Sequence, residues 1–136
     1  MPEAVQRALT ITTPPDDVDT VHDLLENIWA EAPNISMKDR FCFETALIEL
    51  AANVIQHADD GSGVVCRLEI GVYADRVDAV LRDSGRAVSV PLEGREMPDD
   101  MAESGRGIPL IQALVDIEYL HANDFNEWRI SRRLNA

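Results

Sequence analysis

Apolar residues recur along the chain in two rhythms, and the change from one to the other marks its elements. Residues 4–12, Ala-Val-Gln-Arg-Ala-Leu-Thr-Ile-Thr, end in an apolar–polar alternation rich in β-branched side chains, which predicts a strand stopped by Pro14-Pro15. After Asp16-Asp17, which open or cap a helix, Val18, Val21, Leu24, Leu25, Ile28 and Trp29 recur at helical spacing, and this helix ends before Pro33. Ser36 with Asp39 three residues later resembles a capping box and sets the start of a second helix near Met37. That helix is expected to run to about Ala58, with Phe41, Leu47, Ile48, Leu50, Ala51, Val54 and Ile55 as its apolar surface and Asp60-Gly61-Ser62-Gly63 as its stop. Val64 to Tyr73 and Arg76 to Arg82, separated by Ala74-Asp75, read as an antiparallel hairpin. A short helix is expected over Ile108 to Val115, with Pro109 in its first turn, where a missing N–H costs little. Asp116 to His121 and Glu127 to Leu134 form a last hairpin across Asn123 to Asn126.

Two consecutive hairpins imply a largely antiparallel sheet, and the helices between them should cover one of its faces. The predicted fold class is therefore α+β, a two-layer sandwich. The length of 136 residues suits one compact domain spanning residues 1–136. Between Asp83 and about Ser104 lies the least regular stretch, with Pro91, Pro98 and several acids, and long connections of this kind in small domains commonly carry function.

Charge and composition narrow the possible partners. A formal charge of −13 disfavours direct contact with nucleic acid or an anionic membrane, since those polyanions reward basic surfaces, whereas a basic protein partner is readily accommodated. Cys42 and Cys66 stand in apolar stretches without the close pairing of a zinc or redox motif, so reduced, buried thiols in a cytoplasmic protein are expected. No apolar run approaches the roughly 20 residues that span a bilayer.

Three short segments could carry chemistry. Glu49, Asn53 and His57 are spaced four apart on the second helix and form one polar stripe, because each such step turns only about 40° around the axis. Leu47-Ile48 and Leu50-Ala51-Ala52 surround the first two, so at least Glu49 and Asn53 should face something other than bulk water. Asp83-Ser84-Gly85 follows a strand, where a carboxylate can point into a pocket and a glycine admits a flat ligand. Ser104-Gly105-Arg106-Gly107 leads into a helix, whose exposed N–H groups and positive dipole end suit phosphates, with Arg106 as a mobile counter-charge. Taken singly, these segments also fit a solvated helix edge, an ordinary turn and a plain helix start.

In this order and within 60 residues, the three segments resemble the N, G1 and G2 boxes of the GHKL ATPase superfamily. The run Glu-Ser-Gly-Arg-Gly-Ile-Pro-Leu-Ile at residues 103–111, with Glu49-Leu50-Ala51-Ala52-Asn53, is most similar to bacterial anti-sigma-factor serine kinases. The resemblance covers nearly the whole chain and implies a Bergerat-type ATP-binding fold. By that resemblance Asn53 would coordinate a magnesium ion on the phosphates, Glu49 would act as general base toward a serine or threonine hydroxyl, and Asp83 would read the adenine amino group beside Gly85. Gly105, Arg106 and Gly107 would hold the phosphates, and residues 86–104 would form a lid. The implied cofactors are ATP and Mg2+, the implied partners are a sigma factor and its anti-anti-sigma antagonist, and a homodimer is expected.

Three features depart from the family pattern. Ala87 replaces the second glycine of the G1 box, the last hairpin lacks a Gly-Thr pair that often completes the adenine pocket and has Trp128 with Arg129 nearby, and His57 has no clear duty. These departures keep a second reading open, an ATP-gated protein-binding module without kinase activity. His22 and His121 are expected to be ordinary surface or core histidines.

Overall fold

The computed structural model of the protein describes residues 5–13, 18–58, 64–83, 107–122 and 125–134. Five strands, β1 (Val5–Thr13), β2 (Val64–Val72), β3 (Arg76–Asp83), β4 (Asp116–Ala122) and β5 (Phe125–Arg133), form one sheet in the order β1-β2-β3-β5-β4. Every neighbouring pair is antiparallel. Among the described residues three helices accompany it: α1 (Val18–Glu31), α2 (Met37–Ala58) and α3 (Gly107–Leu114). This is the α+β architecture expected from the hairpin pattern.

The sheet shows a period of two across its full width. Cys66, Leu68, Ile70 and Val72 on β2, Val77, Ala79 and Leu81 on β3, and Trp128 and Ile130 on β5 are buried on one face. Register aligns them in rows, so that Leu68 pairs with Leu81, Leu81 with Trp128, and Trp128 with Tyr119, whose ring stacks at 4.4 Å between centroids. The opposite face carries an ion ladder in which Arg82 reaches Glu127 at 2.8 Å and Glu69 at 3.3 Å, and Arg129 reaches Glu127 at 2.6 Å. One apolar face and one charged face require a helical layer on one side only.

Helical periodicity supplies that layer. Val21, Leu25 and Ile28 make the fully buried stripe of α1, while Phe43, Ala46, Leu47, Leu50, Ala51 and Val54 make that of α2. Trp29 of α1 donates its indole N–H to Glu44 of α2 at 3.0 Å, satisfying the polar end of a buried aromatic. Ser36 Oγ accepts from the Asp39 backbone N–H at 3.1 Å, so the serine caps α2 as its spacing implied.

The structure changes several details of the sequence reading. Phe41, expected on the apolar surface of α2, is 69% exposed, because the buried stripe runs through Asp39, Phe43, Ala46 and Leu47 and position 41 falls on the opposite side of the helix. Cys42 is half-buried rather than buried. Phe125 and Asn126, expected in the final turn, already belong to β5. The segments around Asp16-Asp17 and Asp60-Gly63 lie outside the described residues. No described helix is long and apolar enough to cross a membrane.

Candidate functional site

At Asn53 the polar stripe on α2 is not a solvated edge. Asn53 lies on the side of the helix that enters the core, between buried Leu50 and Val54, and is 2% exposed. Its Nδ2 has no hydrogen-bond partner among the described residues. An orphaned buried amide costs about 1–3 kcal/mol, and a fold retains such a group when something else occupies its hydrogen-bonding capacity. Glu49, one turn earlier, is half-buried, and the side chain of His57 lies outside the described residues.

Asp83 is the last residue of β3 and continues the inward-facing set Val77, Ala79, Leu81, so its carboxylate is buried beneath the helical layer. In its row Asp83 pairs with Cys66 on β2 and with Asn126 on β5, and Asn126 pairs with His121 on β4. At this end the apolar rows of the sheet give way to a polar one. Asn126, completely buried, donates from Nδ2 to Asp83 Oδ1 at 3.2 Å. Its Oδ1 accepts from the Tyr119 hydroxyl and lies 3.0 Å from His121 Nδ1. Burial, reinforced by the neighbouring Asp83 charge, pushes the Cys66 thiol up to about 12. A thiol held in that form is neither a nucleophile nor a metal ligand.

Helix α3 begins at Gly107 and packs against both α2 and β4. Its far end is fastened by Arg132, which donates Nη1–H to the Leu114 carbonyl at 2.6 Å and Nε–H to Asp39 at 2.8 Å. Asp39 is 1% exposed, so this ion pair ties the start of α2, the end of α3 and the end of β5 together inside the protein. Gly85, Ala87, Gly105, Arg106 and the expected lid lie outside the described residues.

Of the residues named from sequence, Asn53 and Asp83 are therefore buried polar groups in the interlayer space, Glu49 flanks the first, and Gly107 opens a helix docked on α2. Trp128 and Arg129, which stand where a Gly-Thr pair was missing, point to opposite faces: Trp128 is core and Arg129 belongs to the outer ion ladder. Asn126, Tyr119 and His121 were missed. Placing Asn126 in a turn hid that it shares the strand phase of Trp128 and Ile130, which was the available signal. Arg132 and Asp39, 93 residues apart, offered no local pattern at all.

Among the described residues no three His, Cys, Asp or Glu side chains cluster as a metal site. A resident all-protein metal cage is thus not what these residues build. The unpartnered Nδ2 donor of Asn53 suits an acceptor such as a phosphate or water oxygen, and the carbonyl oxygen of the same buried amide is the atom that could serve as one of the few protein ligands of a magnesium ion.

Comparison with known proteins agrees with the fold. The model of the histidine kinase-like ATPase domain family matches residues 11–130. The serine-protein kinase RsbW of Halalkalibacterium halodurans is 30% identical over 79 residues, covering 52% of this chain and 48% of that protein. The matched segment spans about half the length of each.

Proposed function

The chain belongs to the histidine kinase-like ATPase domain family of the GHKL superfamily, and on that premise we propose that it binds ATP with magnesium and transfers the γ-phosphate to a serine or threonine of a protein antagonist. The observation that carries the reading is Asn53, 2% exposed and one helical turn from Glu49, whose Nδ2 has no partner among the described residues and suits a phosphate or water oxygen, while its carbonyl oxygen is the atom that would ligate magnesium. Asn53 would hold the magnesium ion together with the phosphates, where the ion neutralises phosphate charge. Asp83, oriented by Asn126, would accept a hydrogen bond from the adenine 6-amino group. The backbone from Gly105 to Gly107, at the positive end of α3, would cradle the phosphates with Arg106.

Glu49 supplies the chemical step in this reading. The antagonist hydroxyl oxygen attacks the γ-phosphorus, its proton passes to the Glu49 carboxylate, and the bond from phosphorus to the β–γ bridging oxygen breaks to release ADP. The antagonist would be an anti-anti-sigma protein and the second partner a sigma factor, whose basic surface an acidic chain of formal charge −13 can mask. We place this switch in the cytoplasm as a homodimer, with the whole chain as one domain. The 30% identity to a serine-protein kinase supports the kinase part of this reading.

The test is phosphate transfer from labelled ATP to the cognate antagonist. Glu49→Ala should retain ATP binding while losing transfer by about 10²-fold or more, the usual contribution of a positioned base. Undiminished transfer in that variant would remove Glu49 from the chemistry. If the wild-type protein binds ATP but labels no antagonist, the ATP-gated binding module prompted by Ala87 is the correct reading.

A further inference from the structure

The row of α2 that carries Glu49 and Asn53 extends backwards, in steps of four, to Thr45, Phe41 and Met37. Each step turns about 40° around the axis, so the row winds from the outside of the protein to its interior. Exposure follows the same course: Met37 is 79% and Phe41 69% exposed, Thr45 and Glu49 are half-buried, and Asn53 is buried. Two large apolar side chains, neighbours on one helix face, thus stand in water on the ridge that leads to the site. Lys38, the only lysine of the chain, is exposed beside them. It lies in the first turn of α2, where the helix dipole favours an acid over a base. The acid next to it is already neutralised, since Asp39 is buried and paired with Arg132 at 2.8 Å. Arg40 adds a second cation, donating to the backbone carbonyls of Ile35 at 3.0 Å and Ala32 at 3.4 Å. No other charged residue occurs between Ala32 and Phe43. A chain of formal charge −13 therefore sets a cationic, apolar patch at the start of its site helix.

We propose that Met37, Phe41 and Lys38 form the docking surface for the protein substrate, an acidic segment with an apolar anchor that delivers its hydroxyl to Glu49. This rests on the reading of Glu49 as the base and names the surface that selects what reaches it. The acidic chain as a whole repels an acidic partner, so a local cationic patch fixes where such a partner lands. Phe41 supplies the buried aromatic contact that holds it once landed. The ridge also sets the spacing. Phe41 and Glu49 are about 12 Å apart along the axis, and an extended segment covers about 3.3 Å per residue. The residue anchored on Phe41 therefore lies about four positions from the phosphorylated hydroxyl, with the acids beyond it, over Lys38.

The probe is the anti-anti-sigma protein that the wild type phosphorylates, and transfer is measured against its concentration for the wild type, Phe41→Ser, Met37→Ser and Lys38→Glu. All three positions are exposed, so the variants should fold; thermal unfolding checks this. KM for the antagonist should rise about tenfold in Phe41→Ser and less in Met37→Ser, while kcat and ATP affinity stay unmoved. In Lys38→Glu the rise should be roughly threefold at low salt and shrink as salt increases. Carbodiimide coupling supplies a second readout, because Lys38 is the only lysine amine: an antagonist carboxylate should be joined to it, and Lys38→Arg should lose that cross-link while keeping KM. Unchanged KM in folded Phe41→Ser and Lys38→Glu would overturn the docking surface and leave the Glu49 reading intact. Conversion of a dimer to monomers by Phe41→Ser, with KM unaltered, would also overturn it and give the patch to a contact between copies. Failure of the wild type to label any anti-anti-sigma protein would overturn the kinase reading and the docking surface with it.

Discussion

At the scale of single residues, the site is marked by polar groups in places where apolar ones would be more stable. Asn53 sits in a helix stripe whose neighbours are Leu50 and Val54, with a buried donor that has no partner among the described residues. Asn53→Leu should therefore stabilise the nucleotide-free protein by about 1–3 kcal/mol, seen as a higher urea midpoint, while abolishing magnesium-dependent nucleotide binding. A lower midpoint would mean that the amide serves the fold itself. Cys66 gives a simpler check, because its thiol is pushed up to about 12 by burial and by Asp83. Under native conditions at pH 8 it should resist alkylation, and in denaturant it should react as an ordinary thiol. Both the Asn53 stripe and the Asp83 strand end were legible in the sequence, since spacing on an amphipathic helix and position after an alternating strand are local properties. The bond from Asn126 to Asp83 spans 43 residues and depends on strand register, which a local pattern does not encode.

At the scale of elements, Asp39 and Arg132 join the start of α2, the end of α3 and the end of β5 through one buried ion pair and one carbonyl contact. Removing the cation leaves Asp39 charged at 1% exposure. Arg132→Leu should cost up to about 3–5 kcal/mol in equilibrium unfolding, the usual range for breaking a buried ion pair by removing one partner. Replacing Asp39 as well, in Asp39→Leu/Arg132→Leu, should recover much of that loss; equal destabilisation in single and double variants would show that packing rather than charge is at stake. Most elements began and ended within a residue or two of where periodicity put them, because the alternation in β2 and β3 and the stripe in α1 are nearly uninterrupted. The errors fell where the rhythm changes. Phe41 is apolar but lies off the buried stripe of α2 that Asp39 and Phe43 share, and Phe125-Asn126 resembles a turn although it continues a strand.

For the molecule as a whole, charge is distributed with a purpose that differs between faces. On the outer face of the sheet, hydrogen bonds from Arg82 and then Arg129 hold the Glu127 carboxyl below its ordinary value of 4.5. A carboxylate with a depressed folded pKa contributes stability that is fully present above the unfolded value and is lost as pH falls through the folded one. Stability should thus decline below about pH 4.5 more steeply in the wild type than in Glu127→Gln, measured by urea unfolding from pH 7 to pH 3. Beyond this ladder the chain carries a net formal charge of −13, so association with a basic partner should slow markedly as salt rises. Neither effect identifies the ligand, whose proposed assignment rests on the buried polar residues Asn53 and Asp83. Calorimetric titration of ATP into the wild type and Asp83→Asn, each with magnesium and with chelator, tests that assignment most directly. The account predicts saturable binding by the wild type that weakens sharply with chelator, and loss of at least tenfold in affinity for Asp83→Asn; equal binding by both proteins, or binding indifferent to magnesium, would contradict it.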